Sequence, residues 1–123
     1  MLIVGLKVDN VTTLQLNGLI DTGSTFTILS EEIANKHFPN IDSSKPLELR
    51  GASGLVNLHL IGRQKINIVG YNHFDIDIYT GIKIESSESE EKIDIVLGLS
   101  FFEKCSSLWL NAANKTYMIE FWG

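Results

Sequence analysis

The stretch Leu19-Ile20-Asp21-Thr22-Gly23-Ser24-Thr25 is the most informative part of the sequence, because an apolar segment leads directly into an aspartate and a turn of small, mostly hydroxylated residues. A carboxylate at the end of a buried strand is costly unless hydrogen-bond donors surround it. The Ser24 hydroxyl and the backbone N–H groups of Gly23 and Ser24 are expected to supply them. Two interpretations stay open from these residues: an aspartate that caps its own turn, or a carboxylate positioned for chemistry.

The segments around this turn have the residue pattern of strands. Residues 2–8 are apolar and β-branched, and within 11–20 the side chains of Leu14, Leu16 and Ile20 share one parity, as in a half-buried strand. In the region 74–79, Ile76 and Ile78 alternate with aspartates, which predicts one wet face. Further strands are predicted at 26–29, 47–50, 55–61, 65–69, 74–79 and 93–97, with a closing hairpin at 108–110 and 117–122.

Two short helices interrupt the strands. Ser30 occupies an N-cap position before Glu31 and Glu32, which predicts a helix over 31–38 that ends before Pro39. A second helix is predicted over 99–105. Between the strands at 47–50 and 55–61, the sequence Gly51-Ala52-Ser53-Gly54 predicts a hairpin turn. The whole is a mainly-β domain of sandwich or barrel type, a single domain over residues 1–123.

Composition limits the function. The 123 residues carry 10 basic and 15 acidic side chains, a net charge of −5, which is unsuited to general nucleic-acid binding. No apolar run is long enough to span a bilayer, and the N-terminus lacks the features of a signal peptide, so we expect a soluble cytoplasmic protein. The one cysteine, Cys105, is expected to be a buried thiol, and the three histidines have no ligand-like spacing, so no metal site is predicted.

Three features occur in a recognisable order. Asp-Thr-Gly-Ser follows an apolar strand, a glycine-tipped hairpin lies in the middle, and Ile95-Val96-Leu97-Gly98 precedes a helix near the C-terminus. This arrangement resembles the retropepsin-like aspartic proteases, the single-domain family of the retroviral proteases and their cellular relatives, over roughly residues 2–121. The resemblance implies an acid-protease β-barrel with two short helices and a flap hairpin.

The resemblance also implies roles for the residues of the first turn. Asp21 corresponds to the catalytic aspartate, and the hydroxyl of Thr22 to the group that bonds across to a partner loop. Gly23 and Ser24 match the family's glycine and the small residue after it, although viral members often have alanine where this chain has Ser24.

Roles for the other two features follow in the same way. Leu97 and Gly98 match the element that packs beneath the active-site loop, Val96 corresponds to a position that lines a substrate subsite, and Asp94 lies near one. The flap tip has two glycines rather than a glycine-rich cluster, and residues 83–92 look like an insertion relative to the family. The residues that match the flap are Gly51, Ala52, Ser53 and Gly54.

The function that the resemblance implies is an aspartic endopeptidase without cofactor or metal. Two carboxylates in contact share one proton, so that one acts as base toward water and the other as acid toward the peptide carbonyl. The chain has one Asp-Thr-Gly, so a homodimer is expected to bring Asp21 and its copy to the two-fold axis, with a peptide or protein as substrate. One alternative is a catalytically idle dimeric β-module that binds peptides in the flap cleft. Another is a fragment of a longer aspartic protease, and the initiating Met and the closing hairpin argue against this second alternative.

Overall fold

The computed structural model describes residues 2–21, 23–41, 46–51, 54–68, 73–81, 92–111 and 116–121. Within these residues the chain forms nine strands and two short helices, which confirms the mainly-β prediction. The strands are β1 (Leu2–Lys7), β2 (Thr13–Ile20), β3 (Thr27–Leu29), β4 (Leu47–Gly51), β5 (Gly54–Ile68), β6 (Phe74–Thr80), β7 (Ile95–Leu97), β8 (Cys105–Asn111) and β9 (Thr116–Phe121). The helices are α1 (Glu31–His37) and α2 (Leu99–Phe102). None of the helices in the described part of the chain has the length and apolarity to cross a membrane.

Six of the strands close into a barrel. They are ordered β1-β2-β7-β3-β6-β5, and antiparallel pairing between β1 and β5 completes the circle. The pairs β2–β7 and β3–β6 are parallel, and the others are antiparallel. Strand β4 continues the sheet beyond β5 as a hairpin, while β8 and β9 form a separate two-stranded sheet, which is the predicted closing hairpin.

Strand β5 differs from the prediction of two strands at 55–61 and 65–69. The structure has a single strand of 15 residues. Its register against β6 shifts between Leu60 and Gly62, and Gly62 has a φ of +115°. Glycine adopts this left-handed conformation without a steric penalty, so the chain bulges there and continues its pairing. The interruption in the apolar pattern is therefore a bend within one strand.

The helices follow their predicted signals. The Ser30 hydroxyl accepts the N–H of Ile33 at 3.4 Å, and α1 ends at His37, where the N–H of the cap residue Phe38 bonds the carbonyl of Ala34 at 2.8 Å. Helix α2 is one turn long and stops at Phe102, short of the predicted 105, because the chain enters β8 at Cys105. Both helices thus serve as short connections on the barrel.

The core is built from one parity of the barrel strands. Leu6, Ile66, Ile78 and Leu97 are completely buried there, together with Phe101 of α2. The wet face predicted for 74–79 is confirmed by two ion pairs across β5 and β6 on the outer surface. The atoms joined are Lys65 Nζ and Asp75 Oδ1 at 3.1 Å, and Arg63 Nε and Asp77 Oδ1 at 3.5 Å.

Truncation of Phe101 should destabilise the domain strongly. Its ring is fully buried and contacts the rings of Phe74 and Phe102 at centroid distances of 5.4 and 5.1 Å. Phe101→Ala should lower the free energy of unfolding by about 3–5 kcal/mol. Phe102 is the matched control because it is only partly buried, so Phe102→Ala should cost about half as much or less. Urea unfolding of both variants measures this, and equal losses would contradict the packing described.

Candidate active site

Asp21 lies at the edge of the barrel where β2 and β7 both end. Its N–H donates to the carbonyl of Leu97 at 3.0 Å, which extends the parallel ladder by one residue beyond Ile20. The side chain is exposed to solvent. Its Oδ1 accepts the N–H of Gly23 at 3.0 Å, and Oδ2 has no hydrogen-bond partner among the residues that the structure describes. The carboxylate is thus fixed through one oxygen and free to contact a ligand through the other.

The donors expected around this carboxylate are only partly as predicted. Gly23 donates to the carboxylate, but the N–H of Ser24 donates to the backbone carbonyl of Asp21 at 3.1 Å. The Ser24 hydroxyl donates to the carbonyl of Phe26 at 2.8 Å instead of to the carboxylate. The prediction for this hydroxyl was wrong, because a carbonyl two residues along the same turn lies within its reach. The side chain of Ser24 therefore stabilises the turn itself and not the carboxylate. Thr22 lies outside the described residues.

The segment from Leu97 to Ser100 lies directly under the Asp21 loop. The N–H of Leu99 donates to the carbonyl of Ser24 at 2.8 Å, and the N–H of Ser100 donates to the carbonyl of Thr25 at 3.0 Å. Leu97 is completely buried. Together with the Asp21–Leu97 bond, three main-chain hydrogen bonds clamp the loop onto the end of β7 and the first turn of α2.

Gly98 makes this clamp possible. Its backbone has a φ of −95° and a ψ of −169°, an extended conformation that is not peculiar to glycine. The requirement is for space, since a Cβ at this position would lie 2.7 Å from the carbonyl oxygen of Ser24 and would also collide with the carbonyl of Phe26. The structure therefore places Leu97 and Gly98 beneath the Asp21 loop.

Asp94 has a structural role in this chain. Its Oδ2 accepts the N–H of Asn17 at 2.9 Å, its own N–H donates to the carbonyl of Asn17 at 2.9 Å, and its carbonyl accepts the N–H of Ser30 at 2.9 Å. These bonds tie β2 to the start of α1. A position of Asp94 near a substrate subsite stays a prediction.

An apolar row crosses the outer face of the barrel, beginning next to Asp21. The strand registers pair Leu19 with Val96, Val96 with Ile28, Ile28 with Tyr79, and Tyr79 with Leu60, so these five side chains share one face across five strands. Four steps between neighbouring strands give the row a length of about 19 Å. Leu19 and Leu60 at its two ends are 39% and 48% exposed.

The apolar row lies on the same side of the barrel as the carboxylate. Because the ladder continues to Asp21, its side chain has the parity of Leu19 and projects from the same face. The ring of Phe26 packs on that of Tyr79 with centroids 4.8 Å apart, which widens the far half of the row. Of this row only Val96 was singled out from the sequence. The signal available in the sequence was an apolar residue on an otherwise polar face of a strand. Leu19 and Tyr79 are apolar, whereas the residues two positions before them, Asn17 and Asp77, are polar.

The pairing of the β4–β5 hairpin ends at Leu58, two residues before Leu60 of the apolar row. The hairpin pairs from Leu47 and Leu58 to Gly51 and Gly54, which confirms the predicted hairpin as backbone geometry. Ala52 and Ser53, which were predicted to form its tip, lie outside the described residues. The structure thus contains the hairpin, and its use as a flap is taken up as part of the proposed function.

Groups that could provide other chemistry are few. Cys105 is buried as predicted, and burial raises the pKa of its thiol to about 11, so it is protonated and unreactive at neutral pH. In the described part of the chain, no three His, Cys, Asp or Glu side chains are grouped so that they could hold a metal ion.

A barrel of this topology with a backbone-clamped Asp-Thr-Gly loop defines an acid-protease class of protein. Residues 4–101 match the sequence pattern of the aspartyl protease family, and the chain belongs to this family. The fold is similar to a retropepsin-like aspartic protease from Rickettsia conorii, with TM-score 0.56 and 14% identity over 87% of this chain and 74% of that one. It is also similar to the retroviral protease-like domain of Ddi1 from Leishmania major, with TM-score 0.55 and 15% identity over 100% of this chain and 96% of that one. No curated protein sequence matches the chain.

Substitution of Gly98 should disrupt the site more than its small size suggests. Gly98→Ala would push a methyl group into the carbonyls of Ser24 and Phe26, so it should destabilise the protein by about 1–3 kcal/mol and displace the Asp21 loop. Amide chemical shifts of residues 21–26 and urea unfolding measure the two effects.

Gly62→Ala is the control for this experiment. Gly62 has a φ of +115°, which strains residues other than glycine, but there is open space around its Cα. Gly62→Ala should therefore lower the free energy of unfolding by about 1 kcal/mol and leave the amide shifts of residues 21–26 unchanged. A Gly98→Ala protein with an undisturbed loop would contradict the clamp.

Proposed function

We propose that the protein is an aspartic endopeptidase that acts as a homodimer, with one Asp21 from each chain. The observation that carries this proposal is the exposed Asp21 carboxylate, clamped by main-chain bonds at one end of an apolar row. The membership of the chain in the aspartyl protease family supports the same conclusion. A side chain that served only to cap its turn would not require three further main-chain bonds beneath its loop.

The chemistry requires two carboxylates in contact. One, ionised, accepts a proton from water while the water oxygen bonds to the peptide carbonyl carbon. The other, protonated, donates its proton to the carbonyl oxygen, which gives a tetrahedral diol. The diol then returns a hydroxyl proton to a carboxylate, the C–N bond breaks, and the leaving nitrogen takes a proton from the neighbouring carboxyl group.

A second copy of the chain supplies the second carboxylate in this proposal. The chain has one Asp-Thr-Gly, and a two-fold axis next to Asp21 brings two identical loops together. The β8–β9 hairpin supports association, because among the described residues these strands pair only with each other and leave two sheet edges open. An isolated two-stranded sheet is marginally stable, so pairing with another chain would stabilise it.

The apolar row is the proposed floor of the substrate cleft. Its length of about 19 Å matches some six residues of extended peptide, of which every second side chain faces the floor. The hairpin of β4 and β5 closes over such a peptide and excludes water, as lids do in many enzymes. The preferred substrate is thus an extended segment with large apolar side chains at alternate positions.

A catalytically idle peptide-binding module remains the second candidate, because the apolar row would bind a peptide whether or not hydrolysis follows. The two candidates differ in the fate of the peptide. A binding module releases it intact, whereas the enzyme releases two fragments, and only the enzyme loses its effect when the Asp21 carboxylate is removed.

Removal of the Asp21 carboxylate should abolish hydrolysis without loss of fold. Asp21→Asn keeps the size of the side chain and an acceptor for Gly23, but it removes the base. Hydrolysis of a denatured protein mixture at several acidic pH values should fall by a factor of about 10³ or more. Asp75→Asn is the matched control, since Asp75 is a surface carboxylate paired with Lys65 on the outer face of β6, and it should keep full activity.

Dilution provides the second arm of this test. Activity per chain should fall as the protein is diluted below the dimer dissociation constant, because a monomer has half a site. Sedimentation at the same concentrations gives the monomer fraction. Cleavage by Asp21→Asn, or undiminished activity of a monomeric solution, would refute the mechanism.

The far end of the apolar row should influence substrate preference. Leu60→Ser removes an exposed apolar side chain of the row and should raise KM about tenfold for peptides with a large apolar residue at the corresponding distance from the scissile bond. Peptides with alanine there should be little affected. Val11→Ser is the control because Val11 is 92% exposed and lies outside the row. An equal effect of both variants would mean that the row does not contact substrate.

A further inference from the structure

The apolar row changes its chemical character along its length. Its first members, Leu19, Val96 and Ile28, are aliphatic, whereas its far half carries the rings of Phe26 and Tyr79. The two ring centroids lie 4.8 Å apart, and the ring planes are inclined at 59°. Both aromatic residues are partly exposed. We refer to Phe26 and Tyr79 as the aromatic pair.

The aromatic pair lies at a defined distance from the Asp21 carboxylate. Gly98 follows β7 at the level of Asp21, because the N–H of Asp21 donates to the carbonyl of Leu97. On the other side of Gly98, the carbonyl group of Phe26 lies against its Cα. Phe26 is therefore two strand spacings from Asp21, about 10 Å. This distance corresponds to about three residues of an extended peptide that follows the row.

Hydrogen bonds fix the main chain on both sides of the Phe26 ring. The carbonyl of Phe26 accepts the Ser24 hydroxyl at 2.8 Å. The next residue, Thr27, is completely buried, and its hydroxyl lies 3.0 Å from the hydroxyl of Ser100. The Ser24 hydroxyl, which does not bond the carboxylate, thus helps to position Phe26.

Tyr79 is held in a similar way. It lies between Ile78, which is completely buried, and Thr80, whose buried hydroxyl donates to the carbonyl of Leu29 at 2.9 Å. The backbone under each ring is therefore ordered before a ligand arrives. A binding surface that is already ordered loses less conformational entropy when it binds.

An inclined pair of rings suits a third ring better than an aliphatic group. The edge of an aromatic ring carries partial positive charge and its face partial negative charge, so rings attract each other in edge-to-face and offset-stacked arrangements. Because the two planes of the aromatic pair are inclined, a third ring can meet the edge of one and the face of the other. An aliphatic side chain at the same place would gain only from the burial of apolar area.

We propose that the aromatic pair is a specificity-determining subsite that accepts an aromatic side chain of the peptide, about three residues from the scissile bond. The position of this subsite relative to the scissile bond rests on the proposed function, whereas its preference for a ring does not. In a homodimer the two-fold axis repeats the subsite, so that one lies on each side of the scissile bond. The substrate is then an extended segment with aliphatic side chains next to the scissile bond and an aromatic side chain farther out.

The first test measures binding without hydrolysis. Full-length Asp21→Asn is titrated with two short peptides that differ only at the third residue from a central Leu-Leu bond, which is phenylalanine in one and cyclohexylalanine in the other. Cyclohexylalanine is slightly larger and more hydrophobic, so burial of apolar area alone would favour it. Phenylalanine should nevertheless bind about three- to tenfold more tightly, which is the effect of one aromatic contact. Equal binding, tighter binding of cyclohexylalanine, or no binding of either peptide would overturn the proposal.

A shift of the phenylalanine by one residue provides an internal control. Successive side chains of an extended peptide point to opposite faces, so phenylalanine at a neighbouring position points away from the row and should lose its advantage over cyclohexylalanine. Ring-current shifts at the ring protons of Phe26 and Tyr79 should accompany binding of phenylalanine at the third position only. The same preference at neighbouring positions would mean that these two rings do not form the subsite.

Variants locate the preference on the two rings. Phe26→Leu and Tyr79→Leu each keep an apolar side chain but remove one ring, and each should bring the ratio of the two dissociation constants close to one. Phe102→Leu is the matched control, because the partly buried ring of Phe102 packs on Phe101 and lies outside the row, and it should leave the ratio unchanged. A ratio that persists in both Phe26→Leu and Tyr79→Leu, or that is lost equally in Phe102→Leu, would refute the subsite.

Hydrolysis by the wild-type protein separates this proposal from the proposed function. Cleavage of the phenylalanine peptide with a kcat/KM about threefold or more above that of the cyclohexylalanine peptide is expected if both hold. Cleavage of both peptides with equal kcat/KM would refute the subsite and leave the protease. An aromatic preference in binding, without cleavage of either peptide by the wild type, would refute the protease and leave the subsite.

Discussion

The contact between the Asp21 loop and Gly98 is the constraint on which the functional face depends. Carbonyl groups of Ser24 and Phe26 lie against the bare Cα of Gly98, at a distance that any side chain would prevent. Main-chain bonds from Asp21 to Leu97 and from Leu99 to Ser24 flank this contact. The position of the carboxylate is therefore fixed by backbone geometry, which depends on the absence of a side chain at Gly98.

The barrel uses the two faces of the same strands for different purposes. Side chains of one parity, such as Leu97 and Ile78, fill the core, while Val96 and Tyr79, next to them in sequence, belong to the apolar row on the outside. The core parity supplies the burial that stabilises the fold. Large apolar groups that remain partly exposed on the outer parity are unusual in a soluble protein unless they meet a partner. In the proposed function, a peptide covers the exposed members of this row.

Much of the fold could be predicted because its signals are local. The N-cap at Ser30, the alternation around Ile76 and the hairpin turn after Gly51 are each set by neighbours within a few residues. Asp21 was found in the same way, from an apolar strand followed by small residues. The long strand β5 could not be predicted, since whether Gly62 ends a strand or only bends it depends on pairing with β6, which is distant in sequence.

The site was only partly predictable for the same reason. The Ser24 hydroxyl had two acceptors within reach, and the choice between a carboxylate and the Phe26 carbonyl depends on a turn geometry that the residue types leave open. The apolar row joins Leu19, Val96 and Ile28 with residues from two more strands, and each of these looks unremarkable in its own segment. Only the registers between paired strands, most of them distant in sequence, bring these residues onto one line.

The proposed site has a rigid side and an adjustable side, and this division follows from how each is held. Main-chain bonds and the Gly98 contact fix the loop of Asp21, so the carboxylate is positioned before any ligand arrives. The hairpin instead projects beyond the barrel, and its last barrel contacts are those around His59 and Gly81. A catalytic group gains from being immobile, since it then needs no reorganisation during the reaction, whereas a cover must move to admit a peptide.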